Sequence, residues 1–378
     1  MHTSSAYFDD THRLLRDTLR RFVDKEVVPR AESWEAQGFV PREVLREMGR
    51  CGFLGLRYPE KYHGGGMDAL ATALLAEELG RSGFGGFAAT VLVHTDMASP
   101  HLARAGSPAQ LERWMPGIVA GDLITAVAVT EPDAGSDVKA IRTTARREGD
   151  AWLLRGTKTF ITNGALADLV FVAAKSEPGA GAKGVSMFAV QRGARGFSVG
   201  RRLDKMGWRC SDTAELVFED AAAELIGEEG RGFYAIMRNF QNERIALAAM
   251  AMGESARALE LTLGYARTRK AFGGTLWDKQ AVRQRLAGLA ARIEAGRELV
   301  HRAAWLDAQG ADCVKEVSMA KAYCGELTNE VMYDCLQFHG GSGYMRESAI
   351  ERMYRDARVQ SIGGGATEVM LEEVAKRL

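Results

Sequence analysis

The sequence predicts an α+β multidomain protein, with a helical domain over residues 1–120, a β domain over 121–228 and a helical bundle over 229–378. Three observations predict it. Up to about residue 116, apolar residues recur at helical spacing. From about Gly121, short runs of β-formers alternate with Gly-rich turns, the pattern of a small antiparallel barrel or sandwich. From Gly232, long amphipathic stretches are separated by short loops, the pattern of an antiparallel bundle. With 378 residues, 46% of them hydrophobic, the chain can bury a sizeable layered core.

The elements follow in order. Asp10 is read as the cap of a first helix whose apolar positions are Leu15, Leu19, Phe22 and Val23. Pro29 should kink or end it. Pro41 opens a second helix at its first position, with Gly52 past its end. Gly64–Gly66 reads as a flexible loop. Asp68 opens a helix ending near Gly80, another runs from Phe87 to Ala103, and a short one follows Ser107-Pro108. The β domain should hold strands at Leu123–Val129, Leu169–Ala173, Val185–Val190 and Ala214–Phe218, with a hairpin over Ala151–Thr162. The bundle should hold helices at Phe233–Thr268, Asp278–Ala308, Val314–Phe338, Ile350–Ala357 and Ala366–Arg377.

Composition excludes several classes. The 49 basic and 49 acidic residues balance, so no basic stripe points to nucleic acid. Cys51, Cys210, Cys313, Cys324 and Cys335 lack metal-ligand or disulfide spacing, which points to core thiols in a reducing compartment. His94 and His101 stand alone in apolar surroundings and read as hydrogen-bonded core residues. No apolar run reaches transmembrane length, and Met1–Ser5 carries no basic-then-apolar signal. A cytoplasmic protein without membrane or nucleic-acid partners is expected.

Four segments carry candidate chemistry. Thr130-Glu131-Pro132-Asp133-Ala134-Gly135-Ser136-Asp137 offers hydroxyls and backbone N–H groups after a strand. It could hold a phosphate or a ring edge, or simply make a turn. Gly340-Gly341-Ser342-Gly343 follows a helix and lacks dinucleotide-loop spacing. Gly363-Gly364-Gly365 is either a linker or a place of close backbone approach. Glu243-Arg244 precedes the uncharged run Ile245–Met252. Read alone it is a surface ion pair more readily than a buried carboxylate of raised pKa suited to proton abstraction.

Together these segments resemble a known family. Ala128-Val129-Thr130-Glu131-Pro132-Asp133-Ala134-Gly135-Ser136-Asp137 resembles the first signature of the acyl-CoA dehydrogenases. Gln337-Phe338-His339-Gly340-Gly341-Ser342-Gly343-Tyr344 and Arg355-Asp356-Ala357-Arg358 resemble the second. Phe160-Ile161-Thr162-Asn163-Gly164 and Arg269-Lys270-Ala271-Phe272-Gly273 match family motifs between them, in order. The resemblance implies a middle β-barrel domain, a C-terminal four-helix bundle and a homotetramer (a dimer of dimers) or homodimer. It implies FAD as cofactor. Thr130 and Thr162, with Val129, would bind the isoalloxazine ring, and Phe160 would pack on it. Ser136 would lie near the pyrophosphate and the acyl-CoA. Arg269, Phe272 and Gln280 would hold the adenosine diphosphate half, with Gln337 and Gly341 supplied by a partner subunit, and Gly340 is a further cofactor-binding position. Glu368 matches a position associated with FAD.

The activity implied is α,β-desaturation of an acyl-CoA thioester, with electrons passed to an electron-transfer flavoprotein. A base takes the pro-R α-proton while the β-hydride goes to flavin N5. Many relatives place that base in the loop before the last helix, where this chain has Gly364. Isovaleryl- and long-chain-type relatives carry it on the earlier helix before an arginine, which is Glu243 here. The resemblance therefore assigns Glu243 as base and Gly364 N–H as donor to the thioester oxygen, with Gln241 and Arg244 lining the pocket. Gly363 stands where many straight-chain relatives have tyrosine, so a branched or longer acyl group is expected. Ala366 departs from the family's threonine. Acyl-CoA oxidase and carrier-protein-linked dehydrogenase remain alternatives. A DNA-associated relative is disfavoured by the zero net charge and the end soon after Glu368.

Overall fold

The computed structural model describes residues 6–149 and 151–378; Met1–Ser5, with the expected absence of a signal, lies outside the described residues. Helix α1 (Asp10–Phe22) is capped by Asp9 rather than Asp10. The Asp9 carboxylate accepts from His12 N–H at 2.9 Å, and Asp10 sits in the first turn, favourable for the helix dipole. Pro29 does not stop the chain. A π-turn, Val23–Val27, shifts the register, and α2 (Val28–Gln37) restarts with Pro29 in its first turn, where an N–H is dispensable. Pro41 is the N-cap of α3 (Arg42–Arg50), one position earlier than expected.

Gly64–Gly66 is not a flexible loop. Gly65 and Gly66 N–H donate to Gly55 O and Tyr58 O at 2.8 and 2.9 Å, and a Cβ on Gly64 would lie 2.1 Å from Tyr58 O. Its glycines allow backbone to touch backbone. Asp68 caps α4 (Ala69–Gly80), which is buried on every side. The expected Phe87–Ala103 helix is α5 (Gly85–Leu92), a π-turn (Val93–Ala98) and α6 (Ser99–Ala105). Helix α7 (Pro108–Ala120) begins with a reciprocal Ser107–Gln110 cap.

The β domain contains β1 (Thr125–Ala128), β2 (Thr144–Glu148), β3 (Ala151–Thr162), β4 (Leu169–Lys175), β5 (Val185–Gln191), β6 (Phe197–Arg202) and β7 (Thr213–Ile226). Strand β4 pairs β5, β5 pairs β7, β7 pairs β3, β3 pairs β2, and Thr144 of β2 returns to Lys175 of β4, closing a barrel. It is antiparallel except for that last bridge and the parallel β1–β4 pair. The predicted hairpin over Ala151–Thr162 is one long strand. Gly156 is not a turn residue: a Cβ there would lie 2.5 Å from Thr143 Oγ1, so the glycine admits the neighbouring strand. Side chains of alternate parity on β4 divide between two cores. Val170 and Val172 fill the barrel with Phe188, Leu216 and Phe218, while Leu169 and Phe171 pack with Trp114 and Ile118 of α7.

The bundle is α8 (Gly232–Thr268), α9 (Gln280–Ala308), α10 (Val314–His339), α11 (Ala349–Ala357) and α12 (Thr367–Ala375). Leu276–Asp278 is a separate 3₁₀ turn, so α9 starts two residues later than expected. Helices α4 and α8 cross in near-backbone contact. A Cβ on Gly253 would lie 2.0 Å from Glu77 O, and one on Gly80 would lie 2.3 Å from Met250 O. This crossing anchors α8 to the N-terminal domain. No helix among the described residues is long and apolar enough to cross a membrane.

Candidate active site

Helix α8 is buried continuously from Ile245 to Ser255, and Glu243 stands at the entrance to that buried run. Among the described residues its carboxylate makes no hydrogen bond or ion pair. Burial pushes its pKa up from 4.5 to about 7, against the opposing pull of Arg244 and Lys321. Arg244 lies over the Phe240 ring at 5.4 Å, and its buried Nε has no partner.

The loop before α12 meets this carboxylate. Ile362 and Gly363 N–H both donate to Val359 O at 2.8 Å, while Gly364 N–H has no acceptor among the described residues. Gly364 has φ +62°, a conformation that favours glycine. A Cβ built on it would lie 3.4 Å from Glu243 Oε1 and 2.1 Å from Leu247 Cδ1. One built on Gly365 would lie 3.4 Å from Arg244 Nε. The structure thus brings together Glu243, Arg244 and Gly364. An ionisable carboxylate beside a free backbone donor is suited to removing a proton next to a carbonyl.

Gln241 is not brought to the same place. Two positions before Glu243, it faces another side of the helix, and its Oε1 accepts from Cys313 Sγ at 3.6 Å. Gly363 has room beside it: a Cβ there would meet only Val359, at 3.5 Å. Glu368 is exposed in the first turn of α12.

A second cluster lies at the end of β3. Lys158 is fully buried, and its Nζ donates to Glu131 Oε1 at 2.7 Å and to Val129 O at 2.9 Å. Burial lowers Lys158 to about 8. Thr159 N–H donates to Thr130 O at 3.0 Å, so Val129 and Thr130 lie along the edge that carries Phe160 and Thr162. A bulge between Lys158 and Ile161 turns Phe160 outward, 69% exposed, at φ +59°. Holding a bulky residue there costs about 1–3 kcal/mol, the kind of strain found at ligand sites. Ser136 is exposed in the adjoining turn. An outward aromatic flanked by threonine hydroxyls and backbone groups fits a planar polar ring such as a flavin.

The third cluster lies at helix ends. Lys270–Ala271 and Gly274–Thr275 pair as a short hairpin, with Phe272 93% exposed at its tip. Arg269 and Gln280 flank it, both exposed. Gln337 lies in the last turn of α10 and Gly340 and Gly341 follow its end, where a Cβ on either glycine would meet nothing within 4 Å. The Tyr265 ring stacks on His339 at 4.3 Å, so the ends of α8 and α10 adjoin within one chain. Both groups thus lie on the same end of the bundle, and the expected supply of Gln337 and Gly341 by a partner subunit remains an expectation about the assembly. The cations, open glycines and exposed aromatic fit a nucleotide diphosphate.

Sequence reasoning missed two neighbours of Glu243. Leu247, one turn on, fills the space beside Gly364. Lys321 of α10 donates from Nζ to Gln360 O at 2.7 Å and Gly365 O at 3.1 Å. Its signal was readable: a lone cation on the face that carries Val317, Cys324 and Thr328.

Comparison with known proteins agrees over the whole chain. The N-terminal, middle and C-terminal acyl-CoA dehydrogenase domain models match residues 9–122, 126–221 and 230–378. The mitochondrial long-chain specific acyl-CoA dehydrogenase of Rattus norvegicus is 42% identical, over 98% of this chain and 87% of that protein. The crystal structure of acyl-CoA dehydrogenase from Geobacillus kaustophilus superposes with a TM-score of 0.95 at 40% identity, covering 99% of both chains. A structure described as the FAD complex of PigA superposes with a TM-score of 0.94 at 29% identity, over 98% of both chains. With three domain models in register and this identity along nearly its full length, the chain belongs to the acyl-CoA dehydrogenase family, whose members are FAD-dependent enzymes.

Proposed function

We propose that this enzyme desaturates a branched or longer-chain acyl-CoA to the trans-2-enoyl-CoA, with Glu243 as the base and Gly364 N–H as donor to the thioester oxygen. One observation carries the reading: the unpartnered Glu243 carboxylate lies beside an unpartnered Gly364 N–H. FAD, when bound, supplies the redox chemistry by accepting the hydride equivalent from the β-carbon. The residues to hold it are Val129, Thr130, Ser136, Phe160 and Thr162 around the ring, and Arg269, Phe272, Gln280, Gln337, Gly340, Gly341 and Glu368 around the remainder. Glu243 takes the α-proton. Gly364 N–H stabilises the charge that develops on the thioester oxygen, and the apolar wall from Ile245 onward excludes water. An electron-transfer flavoprotein is the proposed acceptor, and a cytoplasmic homotetramer or homodimer the proposed form.

Anaerobic addition of straight and branched acyl-CoAs, followed by loss of flavin absorbance, tests this directly. Bleaching by branched or long-chain substrates is expected; its absence with every acyl-CoA would reject the reading. Reoxidation by an electron-transfer flavoprotein, against oxygen alone, separates dehydrogenase from oxidase.

The space at Gly363 supports the proposed breadth. Gly363→Tyr should fold, because its Cβ meets only ordinary contacts and its φ is not positive. It should lower kcat/KM for a branched substrate about tenfold relative to a straight one, as the ring narrows the pocket. Equal effects on both substrates would remove Gly363 from the specificity argument.

A further inference from the structure

We propose that Lys321 is a positioning residue of this site: its ammonium locks the Gln360–Gly365 loop against Glu243 and supplies a positive charge against which that carboxylate ionises. The inference rests on the reading of Glu243 as base.

Lys321 is 2% exposed in the middle of α10. Its two acceptors, Gln360 O and Gly365 O, are the first and last carbonyls of a six-residue span. That span includes Gly364 at φ +62° and Gly365 at φ +109°, which have no side chains to hold them in place. A single cation bridging both ends therefore sets where Gly364 N–H points. The α10 backbone reinforces the seat: a Cβ on Gly325 would lie 2.7 Å from Gln360 O.

The charge itself has no carboxylate within ion-pair distance, and both acceptors are neutral carbonyls. A buried cation so placed is costly, and burial lowers its pKa to about 8. A neutral apolar side chain would fill the position at less cost but could not bridge two carbonyls. The acid that senses this charge is Glu243.

The charged groups around Glu243 can be named element by element. Arg244 neighbours it on α8, and Lys321 faces it from α10. Glu373 and Arg377, in and after α12, act on Arg244. On the far side of Gln360, Glu254 Oε2 accepts from Gln360 Nε2 at 3.1 Å. Burial, with a smaller push from Asp356, raises Glu254 to about 8. Without Lys321, Glu243 keeps only Arg244, so its carboxylate ionises at higher pH.

The test is the pH profile, from 5.5 to 9, of the anaerobic flavin-reduction rate in FAD-loaded enzyme. Lys321→Met loses both the bridge and the charge: its rate should fall at every pH, as in Lys321→Arg, and its acid limb should also move up, so that the loss at pH 6.5 exceeds the loss at pH 9 by about tenfold. Lys321→Arg keeps the charge but not the two-carbonyl geometry. Its limb should stay in place while its rate falls at every pH. Glu254→Gln should leave the limb unmoved. A Lys321→Met profile that is unchanged, or reduced by one factor at all pH values, overturns the proposal. If Lys321→Met does not retain FAD, a displaced limb in Lys321→Arg overturns it instead. Glu243→Gln in the same series separates the two ideas. Near-normal reduction there rejects Glu243 as the base, whereas a dead Glu243→Gln with a parallel Lys321→Met profile rejects only the role of Lys321.

Discussion

Glu243→Gln lowers the rate of anaerobic flavin reduction by about 10²–10⁴-fold, the usual contribution of a positioned general base. Glutamine keeps the volume and one carbonyl oxygen but cannot take the α-proton. FAD content and substrate binding should be nearly unchanged, so the loss falls on the chemical step. The wild-type rate should rise with pH through about 7, as the carboxylate ionises, and Glu243→Gln should lack that limb.

The same substitution should make the protein more stable. Between the unfolded and folded pKa values of Glu243, 4.5 and about 7, the folded state binds the extra proton. Stability therefore falls as pH rises across that window and stays low above it, by at most about 3 kcal/mol. Glutamine removes the penalty. At pH 8 the variant should unfold at higher urea than the wild type, and at pH 4 the difference should vanish. A variant less stable at pH 8 would contradict the buried, uncompensated carboxylate.

Lys158→Met has the second largest expected effect, on stability and on the cofactor. Burial pushes Glu131 up, but Lys158, together with Thr143 and the Arg142 N–H, more than offsets it, and its carboxyl sits below the usual range. Removing Lys158 strands Glu131, 7% exposed, without its cation, at a cost of about 3–5 kcal/mol. The double change Lys158→Met with Glu131→Leu should restore much of that, since an apolar pair of similar volume avoids the desolvation of both charges. FAD affinity should not return with it, because the Lys158 Nζ bond to Val129 O, which ties the Val129–Thr130 segment to β3, stays broken. Urea unfolding and FAD retention on gel filtration measure the two effects. Parallel recovery of both would show that Lys158 serves the fold alone.

The order of domains was legible because the period of the apolar pattern changes twice, near Gly121 and near Gly232. What was misread were places where tertiary contact overrides local chemistry. Pro29 reads as a kink or an end, and the interruption comes as a π-turn before it, which leaves the proline in a harmless first turn. Ala151–Thr162 reads as a hairpin, yet it is one strand, in which Gly156 makes room for Thr143. Strands β2 and β6 were not seen because Thr144–Glu148 and Phe197–Arg202 are largely solvent-facing and polar, without the alternation that marks a strand. At the site, Glu243 and Gly364 were legible only through resemblance, since 121 positions separate them and no local pattern joins them. That the ends of α8 and α10 adjoin, through Tyr265 and His339, depends on how two long helices pack, which local spacing does not state.

Leu247 bears on how such an enzyme can evolve. Its methyl occupies the space that any side chain at position 364 would enter, on a backbone already turned to the left-handed side. Moving the acid from the helix to the loop would therefore ask two things at once: a left-handed backbone that tolerates a side chain, and a leucine that swings its methyl aside.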